Sequence, residues 1–411
     1  MRTKNYLHGL PLSCKGKQKR RRRRLVLRVF VLVFFVVFCL PGLVFAQAEE
    51  GTDGKEELNQ NILEQIEKLD TEALQEYIDS LGIFSDETIG ERLFDYIKGE
   101  QFDYGGFGKQ ILNVLFEDVK DMLPAFACIC AVALLCGILS SVKSSFASQT
   151  SADMIFLVAY AAALIPVLAV LTECFSRAFS SVSSMREQMQ LTFPLLLTLM
   201  AASGGSVSAA IYQPAVAFLS TTIVSIVSAV VLPLTLTIIA FSMAGNLSNE
   251  LKLNNFSAFF KSINKWIIGV SVSVFGLFFT VQGLTSAAYD GITRRAAKYA
   301  IGTGVPIVGG FLSGGFDLAI AGSVLIKNSL GSLSIFLMVS VLFEPLVRLV
   351  AANLFLRLTA AVTQPLGESR ISSFLGETAD NLNYCTAGLL FVAFLYFIGI
   401  VLIICSSEVL F

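Results

Sequence analysis

Long apolar runs fill most of the chain after residue 122, and they restrict the fold more than any other feature. A transmembrane helix needs about 20 consecutive, mostly apolar residues. The 411-residue chain is 55% hydrophobic and 15% charged, whereas soluble domains average about 45–50% apolar and about 25% charged. The sequence therefore predicts an all-α fold, that of a polytopic α-helical membrane protein. Five runs are clear candidates for spans: 122–141, 153–174, 266–288, 331–356 and 387–407.

Two further apolar segments, 194–214 and 301–326, are interrupted by glycine and proline. Counting both, we predict about seven segments in a membrane domain over 122–411. Gly310 and Gly314 lie four residues apart, a spacing that lets two helices pack closely. Alternatively, both segments are broken or re-entrant helices, as in transporters. The candidate packing or re-entrant residues are Gly204, Gly205, Pro306, Gly309, Gly310, Gly314 and Gly315.

The first 46 residues have the pattern of a secretory signal peptide. A basic block that ends in Arg20–Arg24 precedes an apolar run from Leu25 to Ala46. A small-residue pattern closes the run, which predicts cleavage between Ala46 and Gln47. The alternative is an uncleaved membrane anchor, because the apolar run approaches spanning length.

Residues 47–121 form an acidic region that we expect to be exported. They contain 20 Asp and Glu against 6 Lys and Arg. Between 56 and 100, apolar residues recur at three- and four-residue steps, which predicts short amphipathic helices. Two roles remain open, a solvated helical bundle and a docking module for an extracytoplasmic partner.

Charged residues inside the apolar segments cost about 2.5–3.5 kcal/mol each on insertion scales, so they need partners or water. Glu344 and Arg348 lie one helical turn apart and are predicted to pair, with Pro345 near a helix start. Lys327 is expected to reach a membrane interface. These charges either fix helix packing or line a polar path for ions or solutes. The candidate intramembrane charges are Asp317, Lys327, Glu344, Arg348 and Arg357.

Several function classes find no support in the sequence. His8 is the only histidine and lies in the segment expected to be removed, which argues against a histidine-based triad or zinc site. No nucleophile–base set or phosphate-binding loop is evident. We therefore expect no enzymatic activity, no cofactor, no metal and no nucleic-acid partner; the lipid bilayer is the expected surroundings.

Four segments together resemble the stage III sporulation protein AE family of endospore-forming Firmicutes. They are PLLLTLMAASGGSVSAAIYQP (194–214), RRAAKYAIGTGVPIVGGFLSGG (294–315), SVLIKNSLG (323–331) and LTAAVTQPLGE (358–368). The resemblance covers most of residues 110–405. It implies a multi-pass subunit of a channel or secretion-like complex in the mother-cell membrane around the forespore, supporting late forespore development. It also implies partners, namely the other membrane proteins of the same operon and a forespore membrane protein, and it carries no catalytic residues.

Two other functions stay open on the residues alone. The protein could be a stand-alone secondary transporter for ions or small solutes, or a membrane scaffold that anchors partner proteins. A transporter would act when reconstituted alone, whereas a scaffold would tolerate neutralisation of Asp317 and Lys327.

Overall fold

A computed structural model describes residues 52–81, 88–98, 104–146, 149–247, 253, 255–278, 309–366 and 369–406. The chain divides into two units, Met1–Glu56 and Glu57–Phe411, and nearly all of the described residues belong to the second. The predicted cleavage pair, Ala46 and Gln47, lies outside the described residues, as does Pro306.

The described residues are helical apart from short turns, which confirms the predicted all-α fold. In chain order the elements are α1 Thr52–Glu67, α2 Glu72–Leu81, α3 Ile89–Lys98, α4 Tyr104–Phe146, α5 Gln149–Ala202, α6 Ser206–Leu247, α7 255–278, α8 Gly309–Thr363, the 3₁₀ turn Gln364–Leu366, and α9 Ser369–Cys405.

The short helices α1–α3, here called the head helices, form as the amphipathic pattern predicts. In α2 the apolar stripe of Leu74, Tyr77 and Ile78 is buried. A capping box starts α3: Thr88 donates from its backbone N–H to Glu91 at 2.9 Å, and the Glu91 N–H donates to the Thr88 hydroxyl at 3.3 Å. Each of these bonds satisfies a donor that the first turn would otherwise leave unpaired. The hydrogen bonds from Thr88, the backbone one first, hold the pKa of Glu91 below its ordinary value.

The head helices pack against α5 and α8. The Gln65 side chain donates to the Ala319 carbonyl at 3.0 Å and accepts from the Ser323 hydroxyl at 2.7 Å. From α2, the Tyr77 hydroxyl donates to the Ser184 carbonyl at 3.3 Å. These contacts tie the acidic region to the long helices of the predicted membrane domain.

Among the described residues, five helices are long and apolar enough to cross a membrane. At 1.5 Å per residue, a 46-residue apolar helix is about 69 Å long, more than twice the ~30 Å hydrocarbon core. The sequence divided this length differently, because the predicted span 153–174 and the first part of the interrupted segment 194–214 belong to one continuous helix, α5. The five apolar stretches are Phe116–Ile138, Leu157–Ala202, Ser206–Leu247, Leu318–Thr363 and Arg370–Cys405.

A tight turn separates α5 from α6 at the predicted Gly204-Gly205 interruption. Gly204 has φ 90°, a left-handed conformation that residues with a Cβ rarely adopt. Its N–H donates to the Ala201 carbonyl at 3.1 Å, and the Gly205 N–H donates to the Met200 carbonyl at 2.9 Å. This pair of bonds is a Schellman motif, which ends α5 and satisfies its last carbonyls.

Candidate functional site: a charged network between three helices

Five charged side chains from α4, α5 and α8 join into one network. The Arg348 guanidinium contacts the carboxylate of Asp118 at 2.6 Å and also that of Glu173. Arg177 contacts Glu173 at 3.4 Å and Glu344. Because two guanidinium groups meet three carboxylates, the network has a formal charge of −1. It ties three apolar helices together at one level of the bundle.

Burial divides this network into an inner and an outer part. The side chain of Arg348 is 5% exposed and that of Asp118 is 12% exposed, whereas Glu173 is 54% exposed. The Nε of Arg348 and the Oδ2 of Asp118 have no partner among the described residues. Removing one partner from a buried ion pair leaves an uncompensated charge, a strongly destabilising change. Arg348 and Asp118 are therefore the pair on which the packing of α4 against α8 depends most.

The predicted pair of Glu344 with Arg348 is wrong, since both residues pair across helices instead. Pro345 does not lie near a helix start either; it lies inside the continuous helix α8. Sequence spacing gives the neighbours within one helix but does not give partners contributed by another helix. Arg348 contacts Asp118, which is 230 positions away in the chain.

Lys327 is fully buried among the described helices, and its expected position at a membrane interface stays a prediction. Its ammonium group donates to the carbonyls of Ile404 at 2.8 Å and Ile403 at 3.3 Å. These carbonyls belong to the last turn of α9, where helix carbonyls lack intrahelical donors and the helix dipole favours a cation. Lys327 therefore joins α8 to the C-terminal end of α9.

Arg357 forms a separate, exposed pair. Its guanidinium contacts Asp380 of α9 at 2.5 Å, and the two side chains are 50% and 65% exposed. Arg357 also donates to the Asn353 side chain one turn earlier in α8. The five predicted charges thus do not meet in one place.

For the remaining candidate residues, the structure describes the position in the helix and no side-chain contacts. Gly309, Gly310, Gly314 and Gly315 lie in the first turns of α8, and Asp317 follows them in the same helix. Whether Gly310 and Gly314 serve close packing or a re-entrant segment stays a prediction. Sequence reasoning missed Asp118, Glu173 and Arg177 as network members. Glu173 and Arg177 carried a signal, the i, i+4 spacing of opposite charges.

The geometry of the network favours helix packing. No group of three or more residues able to hold a metal occurs within the described ranges. A shallow cavity of about 750 Å³ lies elsewhere, between α2 and α3, and it is lined in part by the carboxylate residues Asp70, Glu72, Glu76 and Asp79. The network itself consists of ion pairs that fix the relative positions of α4, α5 and α8.

These features define a class, an all-helical protein with several helices suited to a membrane. The chain belongs to the stage III sporulation protein AE family, whose profile matches residues 89–407, and the resemblance seen in the four segments is confirmed. It is similar to stage III sporulation protein AE of Bacillus subtilis (strain 168), with 25% identity over 367 residues, which cover 88% of this chain and 92% of that protein. No solved structure matches the chain.

Proposed function

We propose that this protein is a membrane subunit of a sporulation channel or secretion-like complex in the mother-cell membrane around the forespore. The observation that carries the proposal is the extent of the family match, because residues 89–407 include all five apolar stretches. In this proposal the complex supports late forespore development. Its other members are the membrane proteins of the same operon and a forespore membrane protein.

In this proposal the head helices lie on the extracytoplasmic side of the membrane, and the protein is not an enzyme. The signal peptide is cleaved after Ala46, and the acidic head helices lie outside the cytoplasm. The protein catalyses no reaction and acts by forming part of a conduit. The ion pairs between α4, α5 and α8 support a role as part of a conduit, because they hold three long helices in fixed relative positions.

Reconstitution distinguishes the conduit subunit from its alternatives. Proteoliposomes with this protein alone are expected to show no solute uptake, and a membrane conduit is expected only when the partner proteins are added. Uptake by the protein alone would establish a transporter and overturn the proposal. Full sporulation of a variant with both Asp317→Asn and Lys327→Met would indicate a scaffold.

A genetic experiment tests the biological role. Deleting the gene in the organism that encodes this chain should stop forespore development after engulfment, and a tagged copy should restore spores. The tagged copy should also co-purify with the other stage III membrane proteins from sporulating cells. Normal spore yield in the deletion strain would contradict the proposal.

A further inference from the structure

Polar residues recur every seven positions on two neighbouring helices, α6 and α7. Seven residues are almost two helical turns, so residues at this spacing share one face. On α7 the residues are Ser257, Asn264 and Ser271, which are 5%, 0% and 9% exposed. On α6 they are Thr235 and Ser242, which are both buried. Ser228, seven residues before Thr235, lies in a π-helical stretch, Val227–Val231, where this spacing does not mark one face.

The two polar faces meet each other. The Asn264 amide donates to the Thr235 hydroxyl at 2.9 Å. The helices run antiparallel, because Phe241 stacks on Phe260 while Phe218 stacks on Phe275. From the Asn264–Thr235 bond, this register brings Ser257 level with Ser242. These polar residues therefore form two successive rungs, about 10 Å apart.

A third helix, α9, closes these rungs on another side. Its Glu377 carboxylate accepts hydrogen bonds from Ser242 and, at 3.4 Å, from Asn246. Further along, a Cβ on Gly388 would lie 3.2 Å from Val231 of α6. Asn381 lies between these two points on the same face of α9, and it is fully buried. We call these six residues the polar seam: Thr235 and Ser242 of α6, Ser257 and Asn264 of α7, and Glu377 and Asn381 of α9.

Hydrogen bonding between helices explains only part of the polar seam. It accounts for the Asn264–Thr235 and Ser242–Glu377 contacts, which are of the kind that holds membrane helices together. It leaves four buried atoms without a partner among the described residues: Ser257 Oγ, Asn264 Oδ1, and both Oδ1 and Nδ2 of Asn381. Each unmet hydrogen bond costs free energy, and in a membrane bulk water cannot supply it.

The chemistry of these four atoms identifies what satisfies them. The Asn264 and Asn381 oxygens need donors, the Asn381 Nδ2 needs an acceptor, and the Ser257 hydroxyl can do either. A cation would serve the oxygens but not the amide nitrogen. Water donates and accepts, and internal water characteristically makes about three hydrogen bonds to such groups. We propose that the polar seam binds a row of water molecules inside the helical bundle.

Radiolytic footprinting of the intact protein in nanodiscs tests this inference, because hydroxyl radicals formed from bound water oxidise the side chains beside it. Cys385 lies one turn beyond Asn381 and is 0% exposed, and Cys136 on α4 is a matched control at 5% exposed. In ¹⁸O-labelled water we expect oxidation of Cys385 at least threefold faster than that of Cys136. Equal rates in the wild-type protein would overturn the inference and would leave hydrogen bonding between helices as the whole role of the polar seam.

Two substitutions test whether the oxidation of Cys385 comes from water bound at the polar seam. Asn381→Leu and Asn264→Leu are expected to reduce labelling of Cys385 to the rate of Cys136, with the rate of Cys136 unchanged. Labelling of Cys385 that persists in both variants would contradict the assignment of water to these amides. The inference does not rest on the proposed function, because the wild-type measurement needs no partner protein.

Discussion

Replacing Arg348 with methionine tests the central role of the charged network. The change keeps an unbranched side chain but removes the guanidinium from Asp118, whose side chain is 12% exposed. Glu173 is 54% exposed and keeps Arg177 at 3.4 Å. The uncompensated charge is therefore mainly that of Asp118. Breaking a buried pair by removing one partner costs about 3–5 kcal/mol, and we expect Arg348→Met to lower the free energy of unfolding by about that amount.

A matched control lies on the same helix. Arg357→Met removes a guanidinium from Asp380, but that pair is half exposed, and exposed pairs contribute about 0–1 kcal/mol. Both variants can be compared by reversible unfolding in bicelles, with helical content as the signal. Adding Asp118→Asn to Arg348→Met should recover most of the loss, whereas adding Glu173→Gln should recover little. An Arg348→Met variant no less stable than Arg357→Met, or a loss that Asp118→Asn does not reduce, would refute the reasoning.

Three further changes test other contacts. A Cβ at Gly399 would lie 2.9 Å from Phe193, whose buried ring packs edge to face on Tyr396, so Gly399→Ala should destabilise the protein by about 1–3 kcal/mol. The control is Gly376→Ala on the same helix, which has open space around it and should be neutral or stabilising by up to about 1 kcal/mol. Equal changes in stability from the two substitutions would contradict the close packing at Gly399. Burial, with a smaller contribution from Glu187, raises the pKa of Tyr77 to about 12. Because a raised folded-state pKa gives stability that is lost as pH rises, the packing of the head helices should weaken between pH 10 and 12. Phenolate absorbance should show a tyrosine that titrates near 12 and is missing in Tyr77→Phe. Lys327→Met removes the charged donor from the carbonyls of Ile403 and Ile404. Amide hydrogen exchange should therefore accelerate over the last turn of α9 and remain unchanged over α2. Unaltered exchange in α9 would show that Lys327 does not hold the end of α9 against α8.

The sequence predicted those features that depend on local chemistry. The amphipathic stripe of α2 and the interruption at Gly204-Gly205 follow from periodicity and from the conformational freedom of glycine, and both have structural counterparts. Long apolar composition likewise predicted an all-α protein with several helices suited to a membrane. Each of these features is determined by residues within a few positions of one another.

Features that depend on tertiary packing were not accessible from spacing. Glu344 and Arg348 have an ideal spacing for a pair within one helix, yet partners from α4 and α5 take their places. Pro345 suggested a helix start, but it lies within the 55 residues of α8. The partners of Lys327 were not predicted, because nothing in the sequence around it indicates that the end of α9 lies against it. The polar seam was missed because the sequence does not show that the polar faces of α6, α7 and α9 meet.

The Schellman motif at Gly204 limits how the helices can move. Only residues 203–205 join α5 to α6, and three fully extended residues span at most about 10 Å. Two packed helices have axes 8–10 Å apart, so the link is nearly as short as the packing distance itself. The connected ends of α5 and α6 therefore act as a fixed corner, so these two helices can separate only at their far ends.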